Sequence, residues 1–343
     1  MGDHLFGLPD ERGRMKTGKL PENVLVRSVL GELHTKRPEV LVGAGVGEDC
    51  AALELGEDEE FVVSTDPITG TSQDIGSLGI VVTLNDLASA GAEPVGVLLT
   101  ALLPEEITEA EIRGIMRQID AECQKYRVQV VGGHTEVTGA VNRPVLSVTG
   151  IGKVKKGAFI STGGAKPGDD LVITKWVGLE GTSILAKEKE KALLTRYPAH
   201  LVQTAKNFDS YLCVVPEAEV AVRLGAHAMH DVTEGGIFGA LWEMGEASGA
   251  GLEVDLKKIP IRQETVEICE FFGINPYELI SSGSMLIAAP DGNTLVRELE
   301  RAGIPASVVG KMKAGNDRIV YRGEEKRYLT PPKADELYRA QGS

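Results

Sequence analysis

Ile75-Gly76-Ser77-Leu78-Gly79-Ile80-Val81-Val82-Thr83-Leu84-Asn85-Asp86-Leu87-Ala88-Ser89-Ala90-Gly91-Ala92 is apolar on most faces when wound as a helix, and its odd polar pair is Asn85 and Asp86. A helix that is apolar all round is buried. A buried acid needs a partner or a cation, so Asp86 marks this helix as the wall of a site. Three further acidic clusters stand where a strand is expected to run into a glycine-rich or helical stretch: Gly47-Glu48-Asp49-Cys50, Ser64-Thr65-Asp66 and His230-Asp231-Val232-Thr233-Glu234-Gly235-Gly236. Taken singly, Asp, Ser and Thr at such junctions are ordinary caps and turn residues. Taken as a set they suit a hard cation. Mg²⁺ takes oxygen ligands and prefers one or two carboxylates completed by water and substrate phosphates, so the pattern points to an Mg·ATP enzyme.

Composition narrows the class. A chain of 343 residues is long enough for about two domains. With 42% hydrophobic and 25% charged residues it reads as globular, and with only 5% aromatics its core is built from Val, Leu, Ile and Ala. The formal charge of −14, from 50 acids against 36 bases, argues against a nucleic-acid backbone as partner. The four cysteines, Cys50, Cys123, Cys213 and Cys269, form no C-x-x-C pair, so neither a zinc site nor a disulfide framework is expected. No signal-peptide start and no membrane span is read from the sequence, and the expectation is a cytoplasmic protein without membrane partners.

Along the chain, residues 1–15 read as an N-terminal arm and residues 16–155 as a first domain. Pro21 at a first turn, followed by Val24, Leu25, Val29, Leu30 and Leu33, predicts an amphipathic helix. Strands are expected at residues 40–42, 61–64, 95–103, 128–131 and 145–151, with a helix over 108–126 opened by a Thr-x-x-Glu capping box. The turn-rich stretch 163–169 is the boundary. A second α+β domain over 165–330 is expected to hold a strand at 171–174, a helix at 237–248, a strand at 252–255, and a final strand, helix and strand at 285–288, 294–302 and 307–311. Residues 331–343 read as a tail.

These motifs, in this order, resemble the ATP-binding superfamily related to aminoimidazole ribonucleotide (AIR) synthase, with the hydrogenase-maturation dehydratase, selenophosphate synthetase and thiamine monophosphate kinase. Gly47-Glu48-Asp49-Cys50-Ala51, Ser64-Thr65-Asp66, Asn85-Asp86-Leu87-Ala88, the Gly132-Gly133-His134-Thr135-Glu136 turn, Ala165-Lys166-Pro167-Gly168-Asp169 and His230-Asp231-Val232-Thr233-Glu234-Gly235-Gly236 carry the likeness, over residues from about 16 to 322. The resemblance implies an α+β, two-domain AIR synthase-like fold. Its N-terminal domain would form a β-barrel-like core as a homodimer, and its C-terminal domain would be an α/β sandwich.

By the same resemblance Asp49, Asp66, Asp86 and Asp231 hold Mg²⁺. Lys19, Ser64, Thr65, Gly132, Gly133, Thr135, Gly235 and Gly236 meet ATP, and Asp231 and His134 are the catalytic pair. The closest flavour is the hydrogenase-maturation branch, which implies phosphorylation of an amide or carboxylate oxygen, on a small-molecule or protein-borne carbonyl substrate, for dehydration or cyclisation. His134 departs from the acid usual there and resembles selenophosphate synthetase. No Cys follows Cys269, where the hydrogenase-maturation enzyme carries its substrate, and none precedes Cys50, where selenophosphate synthetase has its own. A small-molecule kinase and a nucleotide-binding assembly or regulatory protein with weak turnover remain as alternatives.

Overall fold

The computed structural model describes residues 18–45, 50–68 and 74–342. The chain divides into two compact units, Met1–Leu87 with Ala92–Ala158, and Ala88–Gly91 with Phe159–Ser343.

The first unit runs β1 (Gly18–Lys19), α1 (Glu22–Ser28), β2 (Val40–Val42), β3 (Ala52–Leu53), β4 (Glu59–Ile68), α2 (Ile75–Ser89), β5 (Glu93–Leu103), α3 (Glu109–Tyr126), β6 (Gln129–Val137) and β7 (Val145–Lys155). Five strands make one sheet in the order β1-β6-β5-β7-β4, with β5 parallel to β6 and antiparallel to β7. β7 shows why one face is covered: residues 146, 148, 150, 152 and 154 are buried while those between are half-exposed, the period of two that a one-sided sheet imposes. The apolar stripe of α3, namely Ile112, Met116, Ile119 and Cys123, is buried, and α2 sinks Ile75, Ile80, Leu84 and Leu87 completely. The capping box at the start of α3 forms as expected, with Thr108 and Glu111 exchanging hydrogen bonds. Arg27 and Ser28 of α1 donate to Glu109 of α3 at 2.5 and 2.6 Å, and the guanidinium holds that carboxyl down at about 2. Among the described residues the sheet of this chain is open, with β1 and β4 as its edges.

Gly132-Gly133-His134-Thr135-Glu136 is not a turn. These residues continue β6, each paired with β5 from Leu98↔Gly132 to Leu102↔Glu136. The glycines suggested a turn, yet at Gly133 (φ +145) a Cβ would stand 1.9 Å from the Leu99 carbonyl oxygen, so glycine is there to let two strands approach. Similarly β4 does not stop at Ser64 but runs through Asp66 to Ile68.

The second unit runs β8 (Asp170–Thr174), α4 (Leu179–Glu188), α5 (Glu190–Leu193), α6 (Ala199–Lys206), α7 (Val215–Arg223), β9 (Ala228–Asp231), α8 (Gly236–Ala247), β10 (Gly251–Asp255), α9 (Gln263–Phe272), β11 (Met285–Ala289), α10 (Gly292–Arg301), β12 (Ala306–Lys313), β13 (Arg318–Arg322), β14 (Glu325–Tyr328) and α11 (Glu336–Gln341). Its sheet has the order β14-β13-β10-β12-β8-β11-β9, antiparallel except between β10 and β13. Leu171 and Ile173 of β8 and Leu286 of β11 pack with Ile237, Leu241 and Met244 of α8 in one core. A second core joins Leu185 of α4, Val202 of α6, Ile268 of α9 and Leu337 of α11.

Candidate functional site

Strand alternation decides which side chains of Ser64-Thr65-Asp66 can act together. Successive residues of β4 point to opposite faces, so Ser64 and Asp66 share the helix-covered face and Thr65 the other. Ser64 donates its hydroxyl to the carboxylate of Asp86 on α2. Asp66 and Asp86 are both half-buried, and Asn85 is fully buried beside them in sequence. Thr65 instead meets Thr149 of β7, hydroxyl to hydroxyl at 2.9 Å. The structure therefore brings Ser64 and Asp86 together and turns Thr65 away from them.

The β6 residues divide in the same manner. His134 pairs in register with Thr100, an exposed position, and its Nε2 lies 3.1 Å from Glu136 on the same open face. Thr135 and Gly133 pair with buried Ala101 and Leu99 on the covered face. There a cleft of about 340 Å³ opens between α1 and the sheet, lined by Leu25, Val29, Leu99, Met116 and Leu146 and reaching Thr135. Gly132, Gly133 and His134 line it as well, so its wall mixes polar and apolar groups. Lys19 is paired with Glu136 through the backbone of β1, and its side chain lies outside the described residues, as do Asp49 and the arm of residues 1–15.

In the second unit Asp231 closes β9 and is buried, accepting from Ser89 at 3.2 Å, a residue that groups with this unit. Gly235 and Gly236 (φ +79 and +58) turn the chain into α8. The Gly235 N–H, assigned from sequence to a phosphate, is donated at 2.8 Å to the carboxylate of Asp335. A Cβ on Gly236 would meet the Tyr277 and Leu279 carbonyl oxygens at 2.6 and 2.7 Å, so close packing alone requires glycine there.

Sequence reasoning missed Asp335 and Glu180. Asp335 follows Pro331-Pro332 and precedes a short apolar-faced helix, a cap signal that was available. Glu180 is an acid inside an otherwise small and apolar helix start, Gly178-Leu179-Glu180-Gly181-Thr182.

Among the described residues no cluster of three or more His, Cys, Asp or Glu side chains is arranged to hold a metal. The Ser64 corner nevertheless offers donors that suit Mg²⁺, because the Asp86 carboxylate and the Ser64 hydroxyl are oxygen ligands that leave room for the water and phosphate oxygens this ion keeps. Among the described residues no helix is long and apolar enough to cross a membrane.

Comparison with known proteins gives the family. The N-terminal domain model of AIR synthase related proteins matches residues 47–154, and the C-terminal domain model matches residues 166–322. The chain belongs to the AIR synthase related family. It is 29% identical to the carbamoyl dehydratase HypE of Cupriavidus necator, over 75% of this chain and 76% of that one. It is 26% identical to the selenide, water dikinase of Myxococcus xanthus, over 88% and 92%. A crystal structure of the hydrogenase maturation protein HypE in complex with ATP superposes with a TM-score of 0.79, at 22% identity over 94% of this chain and 97% of that chain. The two-domain AIR synthase-like fold expected from the motifs is thereby established, and the chain, like these relatives, is an enzyme.

Proposed function

We propose that this enzyme binds Mg·ATP and transfers the γ-phosphoryl group to an amide-type oxygen, that of a carbamoyl group in the first instance. The observation that carries the reading is the hydrogen bond from Ser64 to Asp86, which ties the Ser-Thr-Asp strand and the Asn-Asp-Leu-Ala helix, two family motifs, into one polar corner. The carbamoyl dehydratase relatives supply the substrate class, and the ATP-bound HypE structure supports the nucleotide.

An amide oxygen is a poor leaving group. Phosphorylating it releases ADP and gives an O-phosphoryl imidate. Breaking the C–O bond then expels phosphate, and loss of the N–H proton leaves a carbon–nitrogen triple bond. Asp66 and Asp86 would hold Mg²⁺, with Asp49 proposed as a further ligand, and the ion would neutralise charge on the phosphates. Ser64 fixes the orientation of the Asp86 carboxylate, which a flexible acid on a helix would otherwise lose. The cleft beside Thr135 is proposed to seat the nucleobase and to exclude water from the transfer. We also propose a homodimer formed through the open sheet face, where Phe61 and Val63 are 53% and 66% exposed.

The test is an isotope transfer. With ATP, Mg²⁺ and a carbamoyl substrate labelled with ¹⁸O at its carbonyl, the label should emerge in inorganic phosphate, read by the ³¹P isotope shift. Turnover that releases unlabelled phosphate would show that the amide oxygen is never phosphorylated.

A further inference from the structure

A separate group of carboxyls lies within the second unit. Glu180, in the first turn of α4, is 6% exposed, and its Oε2 is buried with no hydrogen-bond partner among the described residues. Its carboxyl accepts from Ser282, and the charges acting on it are those of Asp335 and Glu234, both of its own sign. Asp335, 3% exposed, accepts the N–H groups of Gly235 and Leu337, each at 2.8 Å. Tyr338 donates its hydroxyl to Glu234 at 2.6 Å. The other charged residues of α11, Glu336 and Arg339, face each other at 3.4 Å, and at the far end Lys189, just after α4, donates to the Gln341 carbonyl at 3.1 Å. The segment that begins at Asp335 thus seats one buried carboxylate beside another carboxyl that has an oxygen left unmatched.

Two buried acids side by side are compatible when one keeps its proton, because a second uncompensated charge away from water is costly. We propose that residues 335–341 form a proton-dependent strap, seated on α4 and the Gly235 turn while Glu180 is protonated and released increasingly as Glu180 is driven to ionise. Release would also free the Gly235 N–H at the start of α8.

The direction follows from linkage. Burial pushes Glu180 from 4.5 up to about 7, and burial also raises Asp335. If opening restores an ordinary carboxyl, the open strap loses its proton first. The opening equilibrium then rises roughly tenfold per pH unit between the two values and levels off above the upper one.

Hydrogen–deuterium exchange of the full-length protein, corrected for the intrinsic pH dependence of exchange, tests this between pH 5 and pH 8 with β11 peptides as the internal reference. Peptides covering residues 335–341 should lose protection by roughly 40-fold from pH 5 to pH 7 and by less than about twofold more to pH 8, as one-proton linkage requires. Glu180→Gln should hold the strap closed with no such slope. Glu234→Gln, which removes one like charge and keeps an acceptor for Tyr338, should reach its plateau at lower pH. Protection of residues 335–341 that ignores pH in the wild type, or a wild-type slope in Glu180→Gln, overturns the proposal. Should Glu180→Gln not fold, a Glu234→Gln profile that superposes on wild type overturns it instead.

Discussion

Asp86→Asn separates a metal ligand from a residue that only finishes a helix. Asparagine keeps an oxygen to accept from Ser64 and removes the charge alone. A hydrogen bond to a charged group contributes about 1.5–3 kcal/mol and one between neutral groups about 1 kcal/mol, and the half-buried setting reduces the difference to about 1 kcal/mol. Apo stability should therefore move by no more than about 1 kcal/mol, or under about 4 °C for a unit near 150 residues. Binding should respond more strongly. A tenfold weaker Mg·ATP affinity lowers the stabilisation at 100 times the wild-type Kd from about 2.7 to about 1.4 kcal/mol. Scanning fluorimetry with ATP, in Mg²⁺ and in EDTA, measures both quantities. Ser64→Ala is the companion: it should lose about 1–2 kcal/mol of stability and, because Ser64 orients Asp86, part of the Mg²⁺-dependent shift, though less of it than Asp86→Asn loses. A wild-type shift in Asp86→Asn, or an equal ATP shift with and without Mg²⁺ in the native protein, would refute the metal assignment.

Three other outcomes are expected. Gly133→Ala should abolish soluble expression, since its Cβ would meet backbone at 1.9 Å, whereas Gly132→Ala meets only the Leu98 Cδ2 at 3.1 Å and should fold; equal solubility of the two contradicts the strand-approach argument. Glu109 is depressed from 4.5 to about 2 by Arg27, so its hold on α1 is fully present above the ordinary carboxylate range and is lost as pH falls from 4.5 towards 2. Exchange protection of Glu22–Ser28 should fall across that window, and Glu109→Gln should remove the dependence. Light scattering at micromolar concentration should give twice the chain mass, and a monomer mass counts against the dimer.

The legible parts of the fold were those written in local chemistry. The Thr108 capping box, the all-round apolar α2 and the β9-to-α8 turn at Asp231–Gly236 follow from near neighbours in sequence, and the structure has them within a few residues of expectation. The helices α6, α7 and α9 were not anticipated, because short amphipathic segments opened by or just after Pro198, Pro216 and Pro260 lack a long periodic window. β14 is exposed at all four residues and carries no period to read. In the candidate site, the types of Ser64, Asp66 and Asp86 were readable, but the opposite aim of Thr65 needed the strand to extend through it. The partnership of Gly235 with Asp335 spans 100 residues and is invisible to any local rule.

β4 is a two-sided ribbon at the rim of a sheet, and that has a consequence for how this gene can vary. Its even positions, Val62, Ser64, Asp66 and Ile68, serve the covered side, and its odd positions, Phe61, Val63 and Thr65, serve the open one. Losing or gaining one residue in the middle of the strand would exchange the two sets for every position beyond it, sending Asp66 outward and Pro67 inward. Length changes should therefore be purged within Glu59–Ile68 and tolerated in the exposed 56–58 turn before it, while substitutions at Phe61 and Val63 drift independently of those at Ser64 and Asp66. A deep insertion–deletion scan of this one strand would display two selection regimes interleaved residue by residue.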